Sequence, residues 1–259
     1  HHHRQQLGAG VTGIAVGDRV LAAVQGGFAE VALAPVENVY RLPAGLGFAE
    51  ASALRINYLT ALHGLRDRGR LTKGERLLVL GAAGGVGVAA IQVGRILGAE
   101  IVAAASSEAK RAFAQAAGAQ LTLDTEPEGW RDRLKVTCGG QGPDIVLDPV
   151  CGPLFEPAFR SLAWNGRHLV VGFVGGPIPA LKSSLTLMKG AALVGVDVRQ
   201  FQLFEKDKTK AHIDELLAWV GEGSLVPPVG RIFRLDEFAS ALEFALTGKG
   251  LGKTVIEIA

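Results

Sequence analysis

Arg76-Leu77-Leu78-Val79-Leu80, followed at once by Gly81-Ala82-Ala83-Gly84-Gly85-Val86-Gly87, is the stretch on which the fold turns. A short apolar run that meets a glycine cluster and then takes up a helical pattern reads as strand, tight turn and helix. In that helix Val86, Ala89, Ala90, Val93 and Leu97 fall at i, i+3, i+4, i+7 and i+11, one apolar stripe for the face of a sheet. The same segment is the one candidate for a membrane span, since Leu77 to Gly94 offers eighteen positions without a charge. Five of them are glycine, a cluster that a lipid-embedded helix tolerates poorly, so no membrane association is expected.

Working outward, the alternation continues. Ile101 to Ala105 reads as a strand, Glu108 to Ala117 as a helix, and Gln120 to Leu123, Asp144 to Leu147, His168 to Phe173 and Leu193 to Val198 as further strands. Strands alternating with helices at this spacing predict an α/β fold, a Rossmann-type doubly wound parallel sheet of at least six strands with right-handed crossovers. The flanks have a different texture. Residues 11 to 48 carry short β-like pieces, Val16 to Val20 and Phe28 to Leu33 among them, and the tail from Pro227 combines a helix over Glu237 to Leu246 with an extended Thr254 to Ile258. Neither flank is large enough to stand alone, so both are read as parts of one smaller β domain around an inserted sheet. The expected boundaries are 4–52 and 201–259 for that domain and 53–200 for the dinucleotide-type one.

Composition narrows the function. A chain of 259 residues with 48% apolar and 20% charged residues is globular and large enough for a sizeable core. Its 27 cations against 25 anions give a net charge of +2, which offers nucleic acid no basic footprint. Cys138 and Cys151, thirteen positions apart, assemble neither a disulfide framework nor a multi-cysteine zinc site. His63, His168 and His212 are scattered, so no metal site is expected, and a reducing, cytoplasmic setting is the default reading. His1-His2-His3 looks like the remnant of an affinity tag, and no charged segment precedes an apolar one as in a secretory signal.

Written as Ala82-x-Gly84-x-x-Gly87, the glycine turn has the context of a dinucleotide fingerprint, with alanine in the first glycine slot. Gly84 would let a pyrophosphate approach the backbone, Gly87 would let helix pack on strand, and the helix N-terminus would supply N–H groups and a positive dipole end. The competing reading is a glycine-rich turn with no ligand. At the end of the next strand an NAD site usually places an acid for the ribose hydroxyls, but here Ile101 to Ala105 runs into Ser106-Ser107. Ser107 can cap the following helix, whose first turn carries Lys110 and Arg111 beside Glu108. Cations there oppose the helix dipole, which a bound 2′-phosphate would explain and a solvated surface would tolerate. The expected cofactor is NADPH.

Leu80 to Gly87, Val146-Leu147-Asp148-Pro149-Val150, Gly166 to Phe173 and Gly252-Lys253-Thr254-Val255 together resemble the zinc-independent quinone oxidoreductases, also called zeta-crystallin-like, of the medium-chain dehydrogenase/reductase superfamily. The resemblance runs from Gly8 to the end. It implies a GroES-like catalytic domain, a Rossmann domain, NADPH, and hydride delivery to a quinone or electron-poor alkene without metal. In that family a long N-terminal segment precedes the stretch matching Val11 to Val20, so the GroES-like domain is expected to be partial here. By position, the resemblance assigns Thr60 to the nicotinamide, Gly84, Gly85, Val86 and Gly87 to the pyrophosphate, Ser107 and Lys110 to the 2′-phosphate, and Val150, Gly172 and Phe173 to the loops around the nicotinamide half. Asp124-Thr125 stands where relatives often carry an aromatic on the adenine side, and Arg55 where they usually have proline.

Hydride transfer to an enone or quinone also needs a donor for the developing oxyanion. Asn57 and Tyr58, next to Thr60, are the polar candidates, each with a plain packing role as the alternative. Three functions are carried forward: an NADPH-dependent quinone or enone reductase; an enoyl-thioester (enoyl-CoA) reductase of the same fold, which a carboxylate- or CoA-attracting Arg55 would favour over a surface one; and a non-catalytic NADPH-binding protein. The strand at Leu193 to Val198 comes last in the series and should lie at a sheet edge, where it would join a second copy in a homodimer.

Overall fold

The computed structural model describes residues 6–258, which divide into two compact units. The first takes the chain up to Arg55 and again from Lys210 onward, and the second is Ile56–Thr209.

In the first unit β1 (Val20–Ala22) pairs antiparallel with β2 (Val39–Arg41), and α1 (Phe48–Leu62) then leads into the second unit. Arg41 closes the small sheet with an ion pair to Asp18 at 2.9 Å. The expected extension at Phe28 to Leu33 is not a strand: no strand pairs with it among the described residues, and Phe28, Val31 and Leu33 are exposed. Of Val16 to Val20, only Val20 enters a strand.

The second unit is built on β3 (Arg76–Val79), α2 (Gly85–Ile96), β4 (Glu100–Ala104), α3 (Glu108–Ala116), β5 (Leu121–Leu123), α4 (Trp130–Thr137), β6 (Ile145–Asp148), α5 (Phe155–Ser161), β7 (Arg167–Val170), α6 (Ser183–Lys189), β8 (Ala192–Gly195) and α7 (Val198–Phe204). All six strands are parallel, in the order β5-β4-β3-β6-β7-β8. This is the expected α/β, Rossmann-type doubly wound sheet, and its strands are apolar on both faces because helices cover both. Leu77, Leu78 and Val79 of β3 and Ile145, Val146 and Leu147 of β6 have no exposed surface. On one face Trp130, Leu134 and Phe159 pack against Leu78, Val102 and Val146.

Two strands stop earlier than their sequences suggest. The one expected over Leu193 to Val198 ends at Gly195, because the Asp197 carboxylate accepts from the Arg199 and Gln200 amides at 2.9 and 3.1 Å and starts α7. The one expected over His168 to Phe173 ends at Val170, where the chain closes onto the loop after β6; a Cβ on Gly172 would lie 3.0 Å from the Pro149 oxygen.

From Lys206 the chain forms α8 (Lys206–Gly221), which carries it back into the first unit. There β9 (Val229–Arg234), α9 (Phe238–Leu246) and β10 (Lys253–Glu257) form a parallel β-α-β unit. No described helix is long and apolar enough to cross a membrane.

Candidate functional site

The sheet changes winding direction between β3 and β6, and at this point an open α/β sheet leaves a crevice beyond its strand ends. The two loops that meet there are the glycine turn and Pro149-Val150-Cys151. Gly81 takes φ +60°, and a Cβ on it would lie 2.8 Å from Val150 Cγ2. With the left-handed residue at Gly81, Ala82 needs no special backbone, which explains alanine in the first slot; it is buried and donates its N–H to the Ala104 carbonyl at 3.2 Å.

The other glycines of the turn differ in what holds them small. A Cβ on Gly87 would lie 2.3 Å from the Gly81 oxygen and 2.8 Å from Ala82 Cα, so helix and strand approach closely there. A Cβ on Gly85 would lie 2.6 Å from Asn57 Nδ2. Gly84 is different: its Cβ would meet only the Gly81 oxygen, at 3.4 Å, and φ is an ordinary −78°. No protein atom requires glycine at 84. A ligand approaching the backbone at the start of α2 would, and this cradle fits a pyrophosphate.

At the end of β4 three of the expected residues, Ser107, Lys110 and Arg111, come together with Ser106. Ser107 caps α3, accepting from the Lys110 amide at 3.3 Å, while Lys110 Nζ reaches Ser106 Oγ at 3.3 Å and Arg111 donates to the Ala105 carbonyl at 3.1 Å. Both cations thus fold back over the strand end, which carries Ser106 and Ser107 in place of an acid. Asp124, one strand further, spends one carboxylate oxygen on the Glu126 amide and Arg133, and its carbonyl accepts from buried Trp130.

A cavity of about 790 Å³ opens in this unit, walled by Ile56, Thr60 and His63 along one helix face, by Val86 of α2, and by Phe173 and Phe201. Thr60 and Phe173 were expected at the nicotinamide, and they line the same space as Val86. Thr60 donates its hydroxyl to the Ile56 carbonyl at 2.6 Å, leaving its oxygen lone pairs free to accept.

Tyr58, expected as an oxyanion donor, lies off the cavity. Each helical residue advances the direction by about 100°, which turns Tyr58 away from the face carrying Thr60. Its ring is buried, its hydroxyl donates to Gln92 Oε1 at 3.2 Å, and burial pushes its ionisation upward. Asn57 is buried against the glycine turn at Gly85 and lies outside the cavity lining. Arg55 is not a surface residue: it is 9% exposed, its Nε has no partner among the described residues, and burial lowers its affinity for a proton.

The loop after β6 is tied down by a buried carboxylate. Asp148 Oδ1 accepts from the Val150 and Cys151 amides at 2.9 and 2.7 Å, and Oδ2 from His168 Nε2 at 3.1 Å. Cys151 sits at φ +47° with its thiol pushed up to about 12 by burial and the nearby carboxylate, so it remains a thiol rather than a nucleophile or ligand. Among the described residues no three His, Cys, Asp or Glu side chains are grouped to hold a metal ion.

Sequence reading missed His63. The chain does not end its helix at Leu62 but widens it into a π-helical turn over His63–Arg68, with the Gly69 amide bonding five residues back to Gly64 at 2.7 Å. Such widened turns concentrate at functional sites.

A six-stranded parallel sheet in this order with a glycine turn at its crevice is the Rossmann-type arrangement of dinucleotide-binding α/β proteins. Residues 85–217 match the zinc-binding dehydrogenase family. The chain is 32% identical over 255 residues to a quinone oxidoreductase-like protein 2 homolog of Nematostella vectensis, covering 97% of this chain and 70% of that one. The crystal structure of the quinone oxidoreductase from Thermus thermophilus, also solved with NADPH, superposes with a TM-score of 0.83 at 34% identity over 95% of this chain and 78% of that one. The enoyl reductase CurK superposes with a TM-score of 0.88 at 26% identity over 98% and 76%. The chain belongs to the quinone oxidoreductase-like family of the medium-chain dehydrogenase/reductase superfamily, and it is an oxidoreductase of that type.

Proposed function

We propose that the protein is an NADPH-dependent reductase that delivers a hydride to a quinone or another α,β-unsaturated carbonyl. The observation that carries this reading is the pair of cradles on adjacent strand ends: open Gly84 at the start of α2, and Ser107 with Lys110 and Arg111 after β4. The first suits a pyrophosphate and the second a 2′-phosphate. When bound, NADPH supplies the hydride. Gly84, Gly85 and Gly87 hold the backbone close, Asp148 fixes the loop bearing Val150, Gly172 packs on that loop at Pro149, and Phe173 and Thr60 shape the space beyond. Nothing in this chemistry calls for a metal ion. The two cysteines are free and buried, in keeping with a cytoplasmic enzyme.

An enoyl-thioester reductase is the second reading, favoured by the CurK likeness. Loss of reduced-nicotinamide absorbance, followed with a simple quinone and with an enoyl-CoA, separates the two. Turnover of the quinone supports the first, turnover of the thioester alone supports the second, and tight NADPH binding with neither leaves a non-catalytic binding protein.

We further propose a homodimer joined at β8, which lies at the edge of the sheet with Ala192, Leu193 and Gly195 exposed. Its Ala192 and Val196 amides bond inward to Gly166 and Val170, so the alternate donors at Leu193 and Gly195 face the open edge.

A further inference from the structure

His63 is buried, held by Asp67 and by Phe201, and borders the cavity. Its Nδ1–H donates to Asp67 Oδ2 at 2.8 Å, and its ring stacks on Phe201 with centroids 3.9 Å apart and planes 15° from parallel. Asp67 is held in turn by Lys208 Nζ at 3.0 Å from its other oxygen. Nε2 has no partner among the described residues, and His63 borders the cavity one helical turn beyond Thr60. A carboxylate that orients one ring nitrogen while the other is left toward a pocket is the arrangement by which histidine moves protons.

Resting on the reading above, we propose that His63 is the proton donor of the reduction, with Asp67 as its positioning residue. Reduction of a quinone or enone consumes one hydride and one proton. The acceptor carbon or oxygen takes the hydride, negative charge collects on the acceptor oxygen, and the Nε2–H bond of protonated His63 breaks as an O–H bond forms there. The N–H electron pair stays on Nε2, leaving a neutral imidazole with Nδ1–H still on Asp67, and solvent restores the proton.

The groups facing His63 set when it carries that proton. Burial lowers its proton affinity, Asp67 and Glu205 raise it, and Arg68 on the same turn lowers it, with a net downward shift. Lys208 acts through Asp67 and also lies over the Phe201 ring, 6.0 Å from its centroid. A lowered value makes the imidazolium a stronger acid and predicts that turnover climbs as pH falls below neutrality.

The test combines two readouts on the full chain. Histidine NMR without ligands should show His63 titrating below the ordinary histidine value, and D67N should lower it further by removing a charge that favours protonation. With NADPH and a quinone, H63Q should lose roughly 100-fold or more in kcat together with the acid-side rise, while NADPH affinity by fluorescence titration stays unchanged. D67N, which keeps the side-chain shape, should displace the pH profile in the direction of its NMR shift, and it decides the matter if H63Q fails to fold. Wild-type kcat and pH profile in H63Q, or an unmoved profile in D67N, overturn the proton-donor role and leave the reductase reading intact. A wild-type protein that oxidises no NADPH with any quinone or enone overturns both.

Discussion

Asp148 and His168 lie on neighbouring strands with no exposed surface on either, and Oδ2 and Nε2 are 3.1 Å apart. His168 is flanked by the rings of Phe155 and Phe159, and its Nδ1 has no partner among the described residues. A proton on Nδ1 would find no acceptor, so the site is satisfied by the tautomer that donates from Nε2. The carboxylate therefore receives three donors, two of them from the loop that closes onto the glycine turn.

Removing that carboxylate should be costly. Asp148→Ala leaves the Val150 and Cys151 amides and His168 without an acceptor, at about 1–3 kcal/mol for each donor left unsatisfied. His168→Phe keeps the ring and removes one donor of three, with an expected cost of about 1–3 kcal/mol. Urea denaturation measures both, and an Asp148→Ala variant less than about 1 kcal/mol below wild type would contradict this account of the loop.

The glycine turn makes a contrasting pair. Gly84→Val should leave the protein folded, because only the Gly81 oxygen comes near, yet it should abolish binding of NADPH and NADH by filling the space over the backbone. Gly87→Ala should instead destabilise the fold, since its Cβ would lie 2.3 Å from that same oxygen. Circular dichroism and calorimetric titration distinguish the two effects. Retained binding by folded Gly84→Val would place the phosphates elsewhere.

The parallel sheet was legible because strands buried on both faces are apolar throughout, and the glycine turn punctuates them at the crevice. What sequence could not show were effects of partners. Phe28 to Leu33 has strand composition but no strand pairs with it among the described residues, and Asp197 ends β8 with a carboxylate that reads equally well as a strand residue. His63 looked like a stray histidine, because its meaning comes from Phe201, more than a hundred residues away, and from a widened turn with no sequence signature. Tyr58 near Thr60 suggested a shared site, although residues two apart on a helix point about 200° away from each other.

Cofactor preference follows from the end of β4. NADPH should bind more tightly than NADH, and Lys110→Ala should erase most of that difference, because Lys110 both reaches Ser106 and supplies a charge beside the Ser107 cap. Calorimetric titration of both cofactors against both proteins is the measurement. Equal affinities in the wild type would remove the 2′-phosphate reading.

His63 should also leave a mark on stability. Burial lowers its proton affinity in the folded state below the unfolded value of about 6.5. Between the two values the unfolded chain binds more protons, so stability is complete above about pH 6.5 and declines as pH falls toward the folded value. His63→Phe, which keeps the stack on Phe201, should show a shallower loss over that window. The comparison is between the two slopes, because carboxylates titrate in both proteins. Identical slopes would mean that His63 binds its proton equally well folded and unfolded.

Dimerisation through β8 is tested best at Leu193. A proline at Val196 would be misleading, because the Val196 amide already bonds to Val170 at 2.9 Å and its side chain is buried, so that change would damage the sheet itself. Leu193 is exposed, and by the alternation of a parallel strand its N–H points away from β7. Leu193→Pro therefore removes a donor only from the open edge. A two-fold pairing of this edge with itself is self-complementary and closed, so light scattering should give a dimer for the wild type at micromolar concentration and a monomer for Leu193→Pro at unchanged circular dichroism. A wild-type monomer refutes the interface, and a dimer that survives Leu193→Pro moves it to another surface.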